Sequence, residues 1–231
     1  MGDAWPAGRP SFFRQVYALL AKDALLEART KDALGTMVVF SLLVLLVFSL
    51  TLDLRPEVAA AVGPGVLWVA VVFGSTLGLG RTFARERDQG TLEGILMAPV
   101  DRGAIFAAKV VTNLALMFLM QLVSIPAYVA LFGGRVDSAW LLPILVLGTV
   151  GLAAVGTLFS AVASHTRARE VMLPVLLFPV IVPLLIGTVQ ATGAATGSPL
   201  ARDMPWISLL LAFDLIYVVL GAVVFEYAVE E

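Results

Sequence analysis

The sequence predicts an all-α integral membrane protein with six transmembrane helices. Hydrophobic residues make up 60% of its 231 residues and charged residues only 14%, which leaves too little polar surface to cover a soluble globule. The apolar residues are gathered into runs of about 18 or more, long enough for a helix to cross a hydrocarbon core about 30 Å thick. Both observations place most of the chain in lipid.

The charge-poor runs predict the approximate bounds of the spans. They are 34–52, 62–80, 110–132, 139–163, 171–192 and 206–227. No internal repeat or flexible linker divides the sequence, so residues 1–231 are predicted to form a single transmembrane domain.

The distribution of cationic residues predicts the orientation. All but three of the 15 Lys and Arg residues precede the first span or lie between spans two and three or four and five. Because such residues accumulate in cytoplasmic loops, both termini are expected in the cytoplasm. Trp68, Trp140 and Trp206 are accordingly expected near the outer ends of their spans, at headgroup level.

Residues 11–31 predict an amphipathic helix before the first span, with Ser11 as its N-cap. Because this helix carries one apolar face, we expect it to lie in the plane of the membrane interface. A solvated cytoplasmic helix is the alternative. The residues of the apolar face are Phe13, Val16, Tyr17, Leu20 and Ala24.

The longest polar segment, residues 81–109, predicts a short helix between spans two and three. Gly90 permits a turn, Thr91 can cap the helix and Pro99 ends it within about two turns. Asp101 can then cap the helix that continues into span three.

The short helix is expected to present an apolar ridge made of Leu92, Ile95 and Leu96. Such a ridge suits a groove on a cytosolic partner. The alternative is a solvated hairpin that joins two spans.

The same segment resembles the coupling loop of type-2 ABC transporter permeases. In that family, Gly-Thr-Leu-Glu followed by a proline builds the coupling helix that docks on the ATPase subunit. The resemblance implies an ATPase-coupling site that comprises Glu86, Gly90, Thr91, Leu92, Glu93, Ile95, Leu96 and Pro99.

Two spans resemble a narrower family. The runs GPGVLWVAVVFGSTLGLGRTF (63–83) and LPVLLFPVIVPLLIGTVQAT (173–192) are similar to the second and fifth spans of the haem exporter CcmB family of cytochrome c maturation. This resemblance implies a permease subunit in the bacterial inner membrane, with haem as a possible cargo. Whether haem passes through the subunit, or the subunit only drives release of a loaded chaperone, stays open.

The resemblance also implies several partners. They are a second copy of the chain, a CcmA-like cytosolic ATPase that uses ATP, CcmC-like and CcmD-like haem-handling membrane subunits, and a CcmE-like periplasmic haem chaperone. Without the family, an exporter of lipid, polysaccharide or drug, or an ion-coupled secondary transporter, would also fit six spans.

Asp214 is the most unusual residue inside a span. It follows Trp206 by eight positions, which places it roughly 12 Å into the bilayer. A carboxylate at that depth needs a partner, and Gln121 or Gln190 could supply one. A role in conduction or switching and a purely structural helix lock are both open.

Two further patterns inside spans have alternative explanations. Pro174, Pro179 and Pro183 predict kinks in the fifth span, either movable or static. Gly74 and Gly78 form a small-xxx-small pair that suits close helix packing, either within the chain or in a homodimer.

The remaining composition excludes several function classes. The sequence has no cysteine, which excludes thiolate metal sites and disulfides, and its net charge of −2 argues against a nucleic-acid partner. It has no Gly-x-x-x-x-Gly-Lys-Ser/Thr phosphate loop, and one Asp without an intramembrane His argues against an enzyme. His165, the single histidine, is interpreted as a loop residue, so no directly bound cofactor or metal is expected.

Overall fold

A computed structural model describes residues 11–52, 55–83, 86, 91–98, 100–133, 139–164, 166, 168–198 and 205–230. These residues form eight α-helices, and six of them are long and apolar enough to cross a membrane. The six predicted spans are thereby confirmed as helices. The helices are α1 Phe12–Thr30, α2 Asp32–Thr51, α3 Pro56–Thr82, α4 Thr91–Met97, α5 Arg102–Phe132, α6 Leu141–Ser164, α7 Arg169–Thr196 and α8 Trp206–Glu230.

Two spans begin earlier than the hydropathy pattern predicts, because local capping residues start each helix outside the apolar run. Helix α3 begins at Pro56 rather than near residue 62, since proline has the backbone angle that a first helical residue needs. Helix α5 begins at Arg102, where the Asp101 side chain accepts a hydrogen bond of 2.7 Å from the Gly103 amide. The predicted Asp101 cap is therefore confirmed.

Helix α6 is the centre of the bundle. In its most apolar stretch 72% of the residues are buried inside the protein, against 22% for α2 and α8. Its glycines allow this close packing, because each faces a large side chain of a neighbouring helix: Gly148 faces Trp68 of α3, and Gly156 faces Leu79 of α3. A side chain at either glycine would occupy space that the neighbour already fills.

Trp68 corrects the expectation that all three tryptophans lie at headgroup level. Its ring is 1% exposed and packs in the core, where the indole nitrogen donates a 2.9 Å hydrogen bond to the hydroxyl of Thr192 in α7. Trp140, by contrast, is 63% exposed just before α6. Position along a span alone could not separate a core tryptophan from an interfacial one.

Gly74 and Gly78 pack inside the chain. A side chain at Gly74 would meet the Met120 side chain of α5 and then the Met37 carbonyl and Ser41 of α2, and one at Gly78 would meet the Met37 side chain of α2. Ser41 also forms a 2.8 Å hydrogen bond with Ser124 of α5. The pair therefore serves intramolecular packing, and the alternative of a homodimer seam at these glycines is wrong.

A sharp elbow connects α1 to α2. Lys31 separates the helices with a left-handed backbone (φ 54°), an uncommon conformation for a residue other than glycine. Its amide donates a hydrogen bond of 2.7 Å to the Glu27 carbonyl, and the Glu27 side chain accepts a hydrogen bond of 2.8 Å from the Leu34 amide. Glu27 therefore satisfies backbone groups on both sides of the elbow. At the other end of α1, Ser11 occupies the predicted N-cap position without a side-chain hydrogen bond.

The contact between Gly148 and Trp68 gives a test of the packing. Gly148→Ala should lower stability by about 1–3 kcal/mol, because the new methyl overlaps the Trp68 ring. Gly35→Ala is the matched control, since no atom lies within 4 Å of a side chain at Gly35. The thermal unfolding midpoint of the purified protein in detergent measures both. Equal midpoints for Gly148→Ala and the unchanged protein would contradict the packing described here.

Candidate coupling site and intramembrane polar groups

Helix α4 lies in the loop between the second and third spans, as predicted. It covers Thr91–Met97, about two turns. The Thr91 hydroxyl donates a 3.1 Å hydrogen bond to the main-chain carbonyl of Glu86, so it ties α4 to the segment that precedes it. Gly90 and Pro99 lie outside the described residues, as do the side chains of Leu92, Glu93 and Leu96.

Ile95 is half-buried and packs on a cluster at the ends of four spans. The apolar ridge of Leu92, Ile95 and Leu96 stays a prediction, since the side chains of Leu92 and Leu96 lie outside the described part of the chain. Among the residues of α4 whose side chains the structure describes, Thr91, Gly94 and Met97 are exposed, and they are spaced three apart along one side of the helix. The buried members of the cluster are Phe83, Ile105, Phe106, Leu158, Ala161 and Phe225.

Met97 is the residue of this surface that the sequence interpretation missed. Its side chain is 82% exposed, and it is the one exposed large apolar side chain among those that the structure describes in α4. The three-residue spacing of Thr91, Gly94 and Met97 places them on one side of the helix and could have indicated this surface. The hydrophobic residues Leu92, Ile95 and Leu96 matched the expected apolar ridge and were preferred.

Glu86 belongs to a cluster of four charged side chains, of which three are buried and Lys22 is half-buried. Its carboxylate is paired with Lys22 of α1 and lies 2.9 Å from the Lys109 ammonium of α5. Lys109 also lies 2.9 Å from Asp23 of α1. Glu86 and Lys109 are only 5% and 4% exposed. We call these four residues, Lys22, Asp23, Glu86 and Lys109, the charge cluster.

Two positive and two negative groups make the charge cluster electrically balanced. Burial by itself lowers the pKa of Lys22, but the hydrogen bond to Glu86 and the charges of Asp23 and Glu86 outweigh it, so the pKa lies above the usual value. Lys109 additionally lies 5.6 Å from the centre of the Phe83 ring, a cation–π geometry. Removing one partner of such a buried pair typically costs about 3–5 kcal/mol.

The charge cluster changes the interpretation of Glu86. As a predicted ATPase-coupling residue it was expected to contact the partner, yet its carboxylate is buried and paired within the chain. The ATPase-coupling role of Glu86 stays a prediction. The sequence offered a weak signal: Lys109 lies inside α5, one turn before a long apolar run.

Helix α1 packs with its polar residues toward the protein. Its buried residues are Gln15 and Asp23, and the Gln15 side chain accepts a 2.8 Å hydrogen bond from the Asp101 amide. Phe13 and Tyr17 are 83% and 72% exposed. Ala24 of the predicted apolar face is also exposed, while Val16 and Leu20 are half-buried. Most of this face is therefore left uncovered by the described part of the chain, an arrangement that suits contact with a membrane interface.

Asp214 lies in α8, where it is 7% exposed. Its side chain faces Gly151 of α6 beside Leu184 of α7. Neither carboxylate oxygen has a hydrogen-bond partner among the residues that the structure describes. A buried polar group without a partner is costly and is a candidate for function.

Gln121 does not act as the partner of Asp214. Its side-chain nitrogen instead donates a 2.7 Å hydrogen bond to the Thr149 hydroxyl of α6. Asn113, about two turns earlier on α5, donates a 2.9 Å hydrogen bond from its side-chain nitrogen to the Thr157 hydroxyl of α6. The two bonds form a polar seam between antiparallel helices. Gln190, half-buried in α7, likewise makes no hydrogen bond to Asp214.

The three prolines lie inside the unbroken helix α7. Each removes one backbone donor and frees the carbonyl four residues earlier. Pro179 and Pro183 are exposed on the side of α7 that faces away from the bundle, while Pro174 is half-buried. The predicted kinks, movable or static, stay a prediction.

The described part of the chain contains no group of three His, Asp or Glu side chains close enough to hold a metal ion. His165 lies outside the described residues. The charge cluster, with two ammonium groups between its carboxylates, is electrostatically unsuited to a cation.

Several known proteins are similar in sequence to this chain. The chain is 28% identical over 190 residues to the heme exporter protein B of Rhodobacter capsulatus, covering 80% of this chain and 87% of that protein. It is 27% identical over 207 residues to the protein of the same name from Bradyrhizobium diazoefficiens, covering 88% and 92%. A shorter match to that of Escherichia coli is 35% identical over 85 residues, covering 35% and 39%.

A family model extends the likeness to almost the entire sequence. The model of the CcmB protein matches residues 14–231, from the first turn of α1 to the last residue. Together with six apolar helices, this identifies a multi-pass membrane protein. The chain belongs to the CcmB protein family.

Proposed function

We propose that this chain is the permease subunit of an ABC transporter in cytochrome c maturation. It couples ATP hydrolysis by a separate CcmA-like ATPase to haem export or to release of the haem-loaded chaperone. Similarity to proteins named heme exporter protein B supports haem as the cargo. The observation that carries the coupling role is α4, a two-turn helix with an exposed side between two spans.

The contacts of α4 explain how a push on it would reach the membrane. Ile95 packs against the cluster that joins the ends of α3, α5, α6 and α8. Val100 packs on the same cluster, and Asp101 caps α5 immediately afterwards. Because packed interiors transmit displacement rather than absorb it, closure of an ATPase dimer against α4 would tilt these spans together.

The energy source belongs to another chain, because these 231 residues contain no phosphate-binding loop. The proposed assembly contains two copies of this chain and CcmC-like and CcmD-like membrane subunits. It delivers haem to a CcmE-like chaperone outside the bacterial inner membrane, with both termini of this chain in the cytoplasm. Purification of the chain from its native membrane tests the assembly. Recovery of an ATPase with lipid or glycan enzymes instead of haem-handling subunits would overturn the proposal that haem is the cargo.

The exposed surface of α4 provides a direct test of docking. Met97→Asp should reduce recovery of the ATPase with this chain by about ten-fold or more, since an unpaired carboxylate buried in an interface is strongly unfavourable. Met97→Leu keeps an apolar side chain and is the matched control. Quantitative co-purification measures both variants. Full recovery of the ATPase with Met97→Asp would place the docking surface elsewhere.

Asp214 provides a test inside the membrane. We expect Asp214→Asn to fold normally and to lower cytochrome c maturation by about ten-fold, because a carboxylate kept without a partner in a span is usually retained for function. Asp214→Leu should keep or raise the thermal midpoint, since it removes a buried unsatisfied group. Full maturation with Asp214→Asn would show that Asp214 only packs α8 against α6.

A further inference from the structure

The charge cluster joins three parts of the chain that are far apart in sequence: α1, the segment before α4, and the first turns of α5. We propose that it is a rigid joint, so that α1 moves together with the segment that carries α4. Lys22 and Asp23 are then positioning residues for the coupling helix. The inference rests on the proposed function only for the source of the movement, the ATPase.

The geometry of the cluster resists separation. The Lys109 ammonium lies 2.9 Å from both Asp23 and Glu86, while Lys22 contacts Glu86 and lies 3.2 Å from Asp23. Each charge therefore has two neighbours of opposite sign. Pulling α1 away would break two ion pairs, Lys22 with Glu86 and Asp23 with Lys109, and Glu86 and Lys109 are almost inaccessible to the water that would otherwise replace those contacts.

Helix α1 holds α4 from both flanks. On the side before α4, Lys22 binds Glu86, whose carbonyl in turn accepts the bond from Thr91. On the side after α4, Gln15 binds the amide of Asp101. Gln15 and Lys22 are seven positions apart, about two turns, and so share one face of α1. A single rigid helix thus brackets the coupling helix.

The side of α1 opposite the charge cluster carries exposed aromatic residues. Phe13 and Tyr17 are exposed there, so α1 would move along an apolar membrane surface together with the segment before α4 and the start of α5, to which it is bonded. Movement of α4 would carry α1 with it. A static anchor for α4 is the competing possibility, and it predicts that α4 keeps its position when α1 is released.

Distance measurements test the joint without the ATPase. The chain has no cysteine, so spin labels can be placed on Leu25 and Met97, which are 62% and 82% exposed. The full chain in lipid nanodiscs should show a narrow distance distribution. Lys22→Met/Asp23→Leu removes one charge of each sign and leaves the pair of Glu86 and Lys109 intact, and it should broaden the distribution.

Lys31→Met/Asp32→Asn is the matched control. It also removes two adjacent opposite charges, both exposed and outside the charge cluster, and it should keep the distribution narrow. Lys22→Arg should also keep it narrow, because the charge is preserved. An unchanged distribution in Lys22→Met/Asp23→Leu would overturn the rigid joint, whatever the ATPase does.

A second measurement separates the joint from the proposed function. With the ATPase present, Lys22→Met/Asp23→Leu should retain the ATPase but lower ATP-dependent cytochrome c maturation about five-fold or more. Failure of the unchanged chain to bind any ATPase would refute the proposed function and leave the distance result standing. Normal maturation in this double variant would refute the joint's part in coupling.

Discussion

The lack of water inside a bilayer is the constraint on which this structure depends. Every polar group in the spans needs a partner from the chain, and the helices are packed so that most find one. Asn113 and Gln121 both bind threonines of α6, and the Trp68 indole binds Thr192. These bonds fix the rotation of α5, α6 and α7 about their axes, because each buried donor must meet its acceptor. Asp214, without a partner among the described residues, therefore stands out.

At one end of the bundle the same constraint acts on full charges. Lys109 lies inside α5 and is almost fully buried, so the protein must bring carboxylates to it. Helix α1 supplies Asp23, and the loop before α4 supplies Glu86. The apolar cluster around Phe83 and Phe106 packs beside them. Charge compensation and apolar packing thus converge where α4 meets the spans, which is where a mechanical input would have to enter.

Much of this architecture could be predicted from the sequence, because hydropathy reports where a helix meets lipid. The number of spans, the short α4 and the Asp101 cap all follow from local patterns. The partners of Glu86 could not be predicted, because Lys22 and Lys109 are distant from it in sequence. Helix α1, which carries Lys22, was interpreted from its apolar face alone. The burial of Trp68 and the packing of Ile95 on the apolar cluster could not be predicted for a similar reason: a pattern along one helix does not show which neighbour covers which side.

The wide separation between Asp23 and Lys109, 86 positions along the chain, has a consequence for biosynthesis. A ribosome adding about 5–20 residues per second needs about 4–17 seconds to make that interval. For most of it α1 has been translated but Glu86 has not, and Lys109 follows only at its end. The aromatic side of α1 can rest on the lipid surface meanwhile. The charged side of α1 therefore reaches its native contacts only after the loop and the first turns of α5 have been made, long after α1 itself.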